Sequence, residues 1–338
     1  MNGPLLKVEN LKVHYPVSQK SSLFRSATAN LRAVDGVSFG VHQSEAVGVV
    51  GESGCGKSTL SRAILQLIEP TAGRVLWLGE DLGALSKPEM DRKRKDLQII
   101  FQDPLSSLNP RMTIGNIIAE PLKAFHPGLD GKSRLAAVRE MMGQVGLEPE
   151  LINRYPHEFS GGQCQRVGIA RAMILKPKLV ICDEPVSSLD VSTQATIINL
   201  LRQLQKDTGV SILFISHDLS VVRLVCTRIL VMYLGKLVEI AGRDEIFNNP
   251  RHPYTRALLS AIPAPRPGSQ RVRRTVLAGE VPSPMEPPSG CVFRTRCPIA
   301  SHGCSKQSPP LHDVSNTHQV ACHHWDDETH KTVSNRSG

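Results

Sequence analysis

The chain has 338 residues, 40% of them hydrophobic, with 40 Lys and Arg against 31 Asp and Glu and a formal net charge of +9. The length allows a large core plus an appendage. The basic excess is diffuse, residues 241–338 holding 12 Lys and Arg against 8 Asp and Glu, and aromatics make up only 4%, so the stripe of cations and stacking rings that grips nucleic acid is missing and no nucleic-acid partner is expected.

Residues 5–15 and 33–42 alternate apolar and polar side chains and predict two strands joined by a polar loop over residues 18–30. Ala46–Val50 is an apolar run suited to a buried strand, and residues 59–67 have helical character. Between them lies Gly-Glu-Ser-Gly-Cys-Gly-Lys-Ser, residues 51–58. A glycine-rich turn between strand and helix points backbone N–H groups inward and cradles phosphate. The predicted nucleotide set is Gly51, Ser53, Gly54, Cys55, Gly56, Lys57, Ser58 and Thr59, with Lys57 as a point charge on the phosphates and the Ser58 hydroxyl on Mg²⁺.

Further strands are predicted at residues 74–78 and 97–101, the second leading directly into Gln102. The run Arg92, Lys93, Arg94, Lys95 reads as a solvated helix face or a contact for anionic headgroups. Residues 112–150 look helical in pieces, with breaks at Pro121, at Pro127 and Gly128, and at Pro149. A helix is predicted to start after Ser160, with Gly161 and Gly162 in its first turn, and to run to about Leu175, followed by an apolar strand at 179–182, a helix at 191–207 and an apolar strand at 210–215. Apolar strands alternating with helices predict an α/β core with a mainly parallel sheet, and the alternating N-terminal strands an antiparallel layer beside it.

From about Asn248 prolines punctuate the chain, and residues 264–275 read as an exposed, Arg-rich linker. Residues 276–325 hold little apolar material and would need staples to fold as an appendage, and the polar tail to residue 338 has a disordered composition. No apolar run approaches the ~18–20 residues that cross a bilayer. The N-terminus lacks the succession of a signal peptide. A cytosolic chain is expected, serving any membrane process through a spanning partner.

The phosphate loop is followed by Phe-Ser-Gly-Gly-Gln at 159–163 and Leu-Val-Ile-Cys-Asp-Glu-Pro at 179–185. In this order the three strings resemble the ATP-binding-cassette (ABC) ATPases. The resemblance implies an ABC-type P-loop NTPase: a RecA-like parallel-sheet core, an antiparallel β layer and a helical subdomain at about 103–175, all within residues 1–247. It implies that Asp183 holds Mg²⁺ through water, with Ser58 and Gln102 beside it, and that Glu184 is the general base for the attacking water. Gln102 would also touch that water and link the nucleotide to a membrane subunit, and His217 would contact the γ-phosphate. Tyr15 would stack on adenine, though it reads equally as a core tyrosine. Ser160, Gly161, Gly162 and Gln163 would meet the ATP held by a second ATPase chain, so that two cassettes close head to tail on nucleotide. Two departures stand out: Phe159 where Leu is common, and Cys164 where many relatives carry a charged or amide residue.

Two segments narrow the family. Residues 101–111, Phe-Gln-Asp-Pro-Leu-Ser-Ser-Leu-Asn-Pro-Arg, are similar to the corresponding region of dipeptide and oligopeptide importers. Residues 249–263 and 279–298 look like that group's C-terminal extension, assigned to 248–325. The resemblance is greatest to the second ATPase of dipeptide permeases. It implies ATP hydrolysis driving peptide import from the cytoplasmic face of the membrane. The expected partners are a second, different ATPase subunit, two transmembrane permease subunits and, indirectly, an extracytoplasmic peptide-binding protein. Import of nickel or another small solute is the alternative within the class, and a nucleotide-dependent clamp or regulatory protein the alternative outside it.

Eight cysteines divide in two. Cys55, Cys164, Cys182 and Cys226 are scattered through the cassette as small apolar residues. Cys291, Cys297, Cys304 and Cys322 crowd into the extension, with five, six and seventeen residues between them. A [4Fe–4S] cluster is the first expectation. Zinc, with help from His302, His323 or His324, is the second, and unligated thiols the third.

Overall fold

The computed structural model describes residues 3–20, 26–262, 277 and 279–326. Ala46–Val50 (β3), Leu179–Asp183 (β7) and Ser211–Ser216 (β8) are buried along their whole length. A strand covered on both faces needs no alternation, which is why these three read as apolar runs. They pair in parallel with Leu97–Ile100 (β6) and Arg228–Tyr233 (β9) in the order β9-β3-β8-β7-β6. Lys236–Gly242 (β10), and then the hairpin His312–Ser315 (β11) and His318–Val320 (β12), extend the sheet beyond β9 by antiparallel pairing.

The antiparallel layer is built from Leu6–Lys20 (β1), Ser26–Val41 (β2), Ala72–Trp77 (β4) and Glu80–Asp81 (β5) in the order β2-β1-β4-β5. Residues 18–20 and 26–30, read as loop, continue this hairpin. The layer closes on one side of the large sheet through Leu6, Leu11, Val49, Leu60, Ile64 and Trp77. Lys57–Ile64 (α1) lies in that interface, and Lys87–Lys93 (α2) buries only Met90.

The other face carries Ile114–Phe125 (α3), Gly131–Gln144 (α4), Gly161–Met173 (α5), Val191–Thr208 (α6) and Leu219–Val225 (α7). They enclose a second core that includes Ile117, Ile169, Cys182, Ile197 and Phe214. The break expected at Pro121 does not occur, since α3 runs through it. An internal proline costs about 3 kcal/mol, and α3 offsets that by burying Ile114, Ile117, Ile118 and Leu122 on one face.

Beyond Arg243–Asn248 (α8) the chain is not a free-standing appendage. Pro253–Ser260 (α9) buries Tyr254, and this residue, Val292 and Phe293 join the second core. Gly303–Lys306 (α10) precedes the β11–β12 hairpin on the cassette's sheet. Shared core and shared sheet take the place of the staples that the small apolar content called for. The Arg-rich 264–275 segment and the tail beyond residue 326 lie outside the described residues.

Candidate functional site

The phosphate loop joins β3 to α1. Two of its glycines are dictated by contact. A Cβ on Gly51 would stand 2.2 Å from the Met232 carbonyl oxygen, and one on Gly56, whose φ is 105°, would stand 1.9 Å from that of Ala33. The loop is therefore pressed against β9 and β2 with no room for a side chain at either end. Lys57 is 4% exposed and curls back over the loop, its Nζ donating to the carbonyls of Gly51 at 2.8 Å and Glu52 at 3.1 Å. Cys55 is buried beneath, where desolvation holds its thiol protonated.

The Ser58 hydroxyl donates to Asp183 Oδ1 at 2.9 Å and that of Ser61 to Oδ2 at 3.3 Å. Asp183 closes β7, and burial raises its carboxyl pKa against the lowering effect of the two hydroxyls. A hydroxyl and a carboxylate side by side, both hard oxygen donors, suit Mg²⁺.

Glu184 follows with φ 48°, a left-handed conformation that costs a non-glycine residue of order 1–3 kcal/mol. Its N–H is fixed on the Ile215 carbonyl at 2.9 Å, tying the turn to β8. The carboxylate becomes the hub of the site. Lys57 Nζ is 3.8 Å from Oε1, and Gln102 Nε2 and His217 Nδ1 are 3.4 and 3.1 Å from Oε2. Three strand ends, β6, β7 and β8, thus deliver Gln102, Glu184 and His217 beside the loop that follows β3.

Ser160 caps α5. Its Oγ accepts from Gln163 N–H at 3.3 Å, and Gln163 Oε1 accepts from Ser160 N–H at 2.9 Å. Gly162 lies where a Cβ would meet Thr193 Cγ2 at 2.4 Å, so the glycine lets α5 close on α6. Ser160 and Gln163 bond to each other, apart from the Glu184 cluster. Tyr15 is on β1 opposite Leu31, half exposed on the antiparallel layer.

Residues 34–187 match the family described as "ABC transporter", and residues 238–304 match "Oligopeptide/dipeptide transporter, C-terminal region". The oligopeptide transport ATP-binding protein OppF of Salmonella typhimurium is 56% identical over 94% of this chain and 95% of its own length. That of Haemophilus influenzae is 55% identical over 94% and 96%. The chain belongs to the ABC transporter family. Among solved structures, the ABC cassette MJ0796 in a dimeric post-hydrolysis state with ADP and Pi superposes with a TM-score of 0.63 at 28% identity, over 70% of this chain and 98% of that one. CbiO1 of Clostridium perfringens, part of the transporter complex cbiONQ, gives 0.61 at 27% identity over 73% and 91%. ATP and Mg²⁺ are the ligands such a cassette implies. Among the described residues no helix is long and apolar enough to cross a membrane.

The family's C-terminal region contains the four clustered cysteines except Cys322. They share one neighbourhood. Burial, reinforced by the other three sulfurs, pushes the Cys322 thiol up to about 12, and burial with Cys291 and Cys304 pushes Cys297 to about 11. The expected [4Fe–4S] or zinc centre is nevertheless not preassembled. Among the described residues no three His, Cys, Asp or Glu side chains are grouped so as to hold a metal ion. Local partners engage the thiols and rings instead. Cys304 Sγ contacts Ser301 Oγ at 3.6 Å, and Cys322 Sγ accepts from His324 N–H at 3.4 Å. His323 Nε2 lies 2.9 Å from the Gln307 carbonyl, and His324 Nε2 2.9 Å from Ser301 Oγ.

Sequence reasoning missed the residues that tie this region to the ATP site. Glu52 donates its N–H to the Tyr254 hydroxyl and holds the Arg296 guanidinium with its carboxylate. Only the fold brings residues 52, 254 and 296 together, and no spacing pattern signals it.

Proposed function

We propose that this chain is the ATP-hydrolysing subunit of an oligopeptide importer, working at the cytoplasmic face of a membrane beneath two permease subunits. The carrying observation is the convergence of Lys57, Gln102 and His217 on Glu184 beside the Ser58–Asp183 pair. In this reading residues 1–247 form the cassette and 248–325 its extension. The loop amides, Lys57 and Ser58 hold the triphosphate, with Tyr15 beneath the base. Mg²⁺, held by Ser58 with Asp183 and Gln102 near it, would neutralise the charge that develops on the phosphates. Glu184 takes the proton of the attacking water, and Gln102 and His217 fix its carboxylate through Oε2. A carboxylate already contacted by three donors is oriented in advance, so little reorganisation accompanies proton transfer.

Ser160, Gly161, Gly162 and Gln163 serve the ATP of the partner cassette. The ADP- and Pi-bound dimer of MJ0796 supports such an arrangement. The partner is a second, different ATPase chain, and an extracytoplasmic peptide-binding protein feeds the assembly. The relatives' oligopeptide transport supports the substrate class. The test is reconstitution in liposomes with the two permease subunits, the second ATPase and the binding protein. Peptide uptake should require ATP and this chain, and ATP turnover without uptake would overturn the import reading.

Leu105 is exposed three residues after Gln102, with Phe101 half exposed just before it. This apolar spot beside the ATP site is the proposed seat of a permease segment. Leu105→Arg should abolish co-purification with the permease subunits and leave ATP binding unchanged.

A tetrathiolate centre on Cys291, Cys297, Cys304 and Cys322 is the finer part of this reading, supported by the shared neighbourhood of the four sulfurs. It requires the thiols to leave their local partners. Protein purified without oxygen should carry about four irons and four sulfides per chain. Zinc alone would overturn the cluster, and no metal would overturn the centre.

A further inference from the structure

The phosphate loop has a second set of holders, and they come from the far end of the chain. Glu52 is the loop's second residue. Its N–H donates to the Tyr254 hydroxyl at 2.8 Å. Its carboxylate takes both arms of Arg296, Nη1 to Oε2 at 2.6 Å and Nη2 to Oε1 at 3.1 Å. The Arg296 side chain is 8% exposed and that of Glu52 28%. A bidentate pair with its guanidinium buried and its carboxylate part-buried belongs with the charge-assisted bonds rather than with fully exposed surface pairs.

The holders are themselves fixed. The Arg296 guanidinium lies 5.9 Å from the Tyr233 ring centroid. Tyr233 meets the rings of Tyr254 and Phe293 edge-on at 4.8 and 5.2 Å. Glu52 also gives its carbonyl to Lys57 at 3.1 Å. One loop residue therefore carries the phosphate-binding lysine on its carbonyl and two residues of the C-terminal extension on its N–H and carboxylate. Proton transfer at Glu184 uses none of these contacts, so they act on the shape of the loop.

We infer that Arg296 and Tyr254 are positioning residues that hold the phosphate loop in its cradle conformation before nucleotide arrives. This rests on the ATP-binding reading of the loop. Without the clamp the loop samples other conformations, and only the cradle fraction binds, so the apparent dissociation constant rises by the inverse of that fraction. Bound nucleotide restores the cradle, and the rate at saturation is kept. A purely structural role would instead lower the amount of active protein, and with it kcat, while leaving KM in place.

The test measures a fluorescent ATP analogue binding to the purified full chain, and KM and kcat on the chain assembled with its permease subunits. Arg296→Ala and Glu52→Gln should each raise Kd and KM about tenfold, the scale expected for losing one charged, hydrogen-bonded pair. The rate at saturating ATP should stay within about twofold of wild type. The double variant should be no worse than either single one, because both remove the same pair. Arg296→Lys, with a single contact, should fall between. If Arg296→Ala does not fold, Tyr254→Phe keeps the ring and removes only the acceptor for the Glu52 N–H, and should raise Kd by a smaller factor. Unchanged Kd in the folded variants, or losses that add in the double variant, would overturn the clamp. A wild-type chain that binds no ATP would overturn the ATP reading instead.

Discussion

Replacing Glu184 by Gln should stop ATP hydrolysis while leaving ATP bound. The change keeps the shape of the side chain and the N–H bond to Ile215, so the turn after β7 and its positive φ survive. On the proposed reading, what it removes is the proton acceptor. A positioned base contributes typically 10²–10⁴-fold to such a step, and turnover should fall by about that factor. Affinity for ATP should change by less than about twofold, because on this reading the phosphates are held by the loop and Lys57 rather than by Glu184. ATP should then lock paired cassettes together, visible as an ATP-dependent dimer in gel filtration that does not decay. His217→Ala and Gln102→Ala each remove one of the two contacts to Oε2, at 3.1 and 3.4 Å, and should slow hydrolysis less than Glu184→Gln does. Single-turnover phosphate release on the three variants gives this ranking directly. Wild-type release from Glu184→Gln would move the proton acceptor elsewhere.

The phosphate loop, the strand ending in Asp183 with Glu184 just after it, and the Ser160 turn were legible because each depends on residues close together in sequence. β3, β7 and β8 were equally legible, since strands buried on both faces must be apolar throughout. The outer part of the β1–β2 hairpin was not. Residues 18–20 and 26–30 continue the ladder with a largely polar sequence that reads as loop. β9 and β10 left no distinct signal beside the punctuation that follows them, although β9 supplies the Met232 carbonyl against which Gly51 closes. How the extension packs was not legible for a related reason. Its own apolar content is small, but Tyr254, Val292 and Phe293 are spent on the cassette's core, and a count confined to residues 276–325 cannot see a core supplied by residues 46–246. Cys291, Cys297, Cys304 and Cys322 were legible as a cluster in sequence, yet the position of Cys322 is set by the β11–β12 hairpin pairing with the edge of β10, which no spacing pattern signals.

That edge carries the second large effect. Glu239 is fully buried on β10, a position a carboxylate tolerates only when its oxygens are satisfied. Oε1 accepts from Arg251 N–H at 2.6 Å and faces His318 Nε2 at 2.7 Å, and Oε2 accepts from His252 N–H at 3.0 Å. One side chain thus gathers the entry to α9 and the second strand of the hairpin onto the cassette's sheet. Glu239→Ala leaves a buried N–H, a part-buried N–H and a buried imidazole without their acceptor, and should destabilise the chain by about 3–5 kcal/mol, as when one partner of a buried pair is removed. Urea unfolding measures this, and a loss below about 1 kcal/mol would assign the attachment to the aromatic contacts alone. The junction should also weaken in acid. Burial pushes His252 down to about 4 despite the opposing charge of Glu239, and Arg256 adds to the lowering. Its neutral Nδ1 caps α9 by accepting from Tyr254 N–H at 3.1 Å. The folded chain refuses a proton that the unfolded chain takes up near pH 6.5, the ordinary histidine value. The His252 contribution is therefore complete above about pH 6.5 and declines as the pH falls towards 4. His252→Asn, which can cap the helix but does not titrate, should flatten the stability profile across that window. An unchanged slope would place the acid sensitivity on other groups.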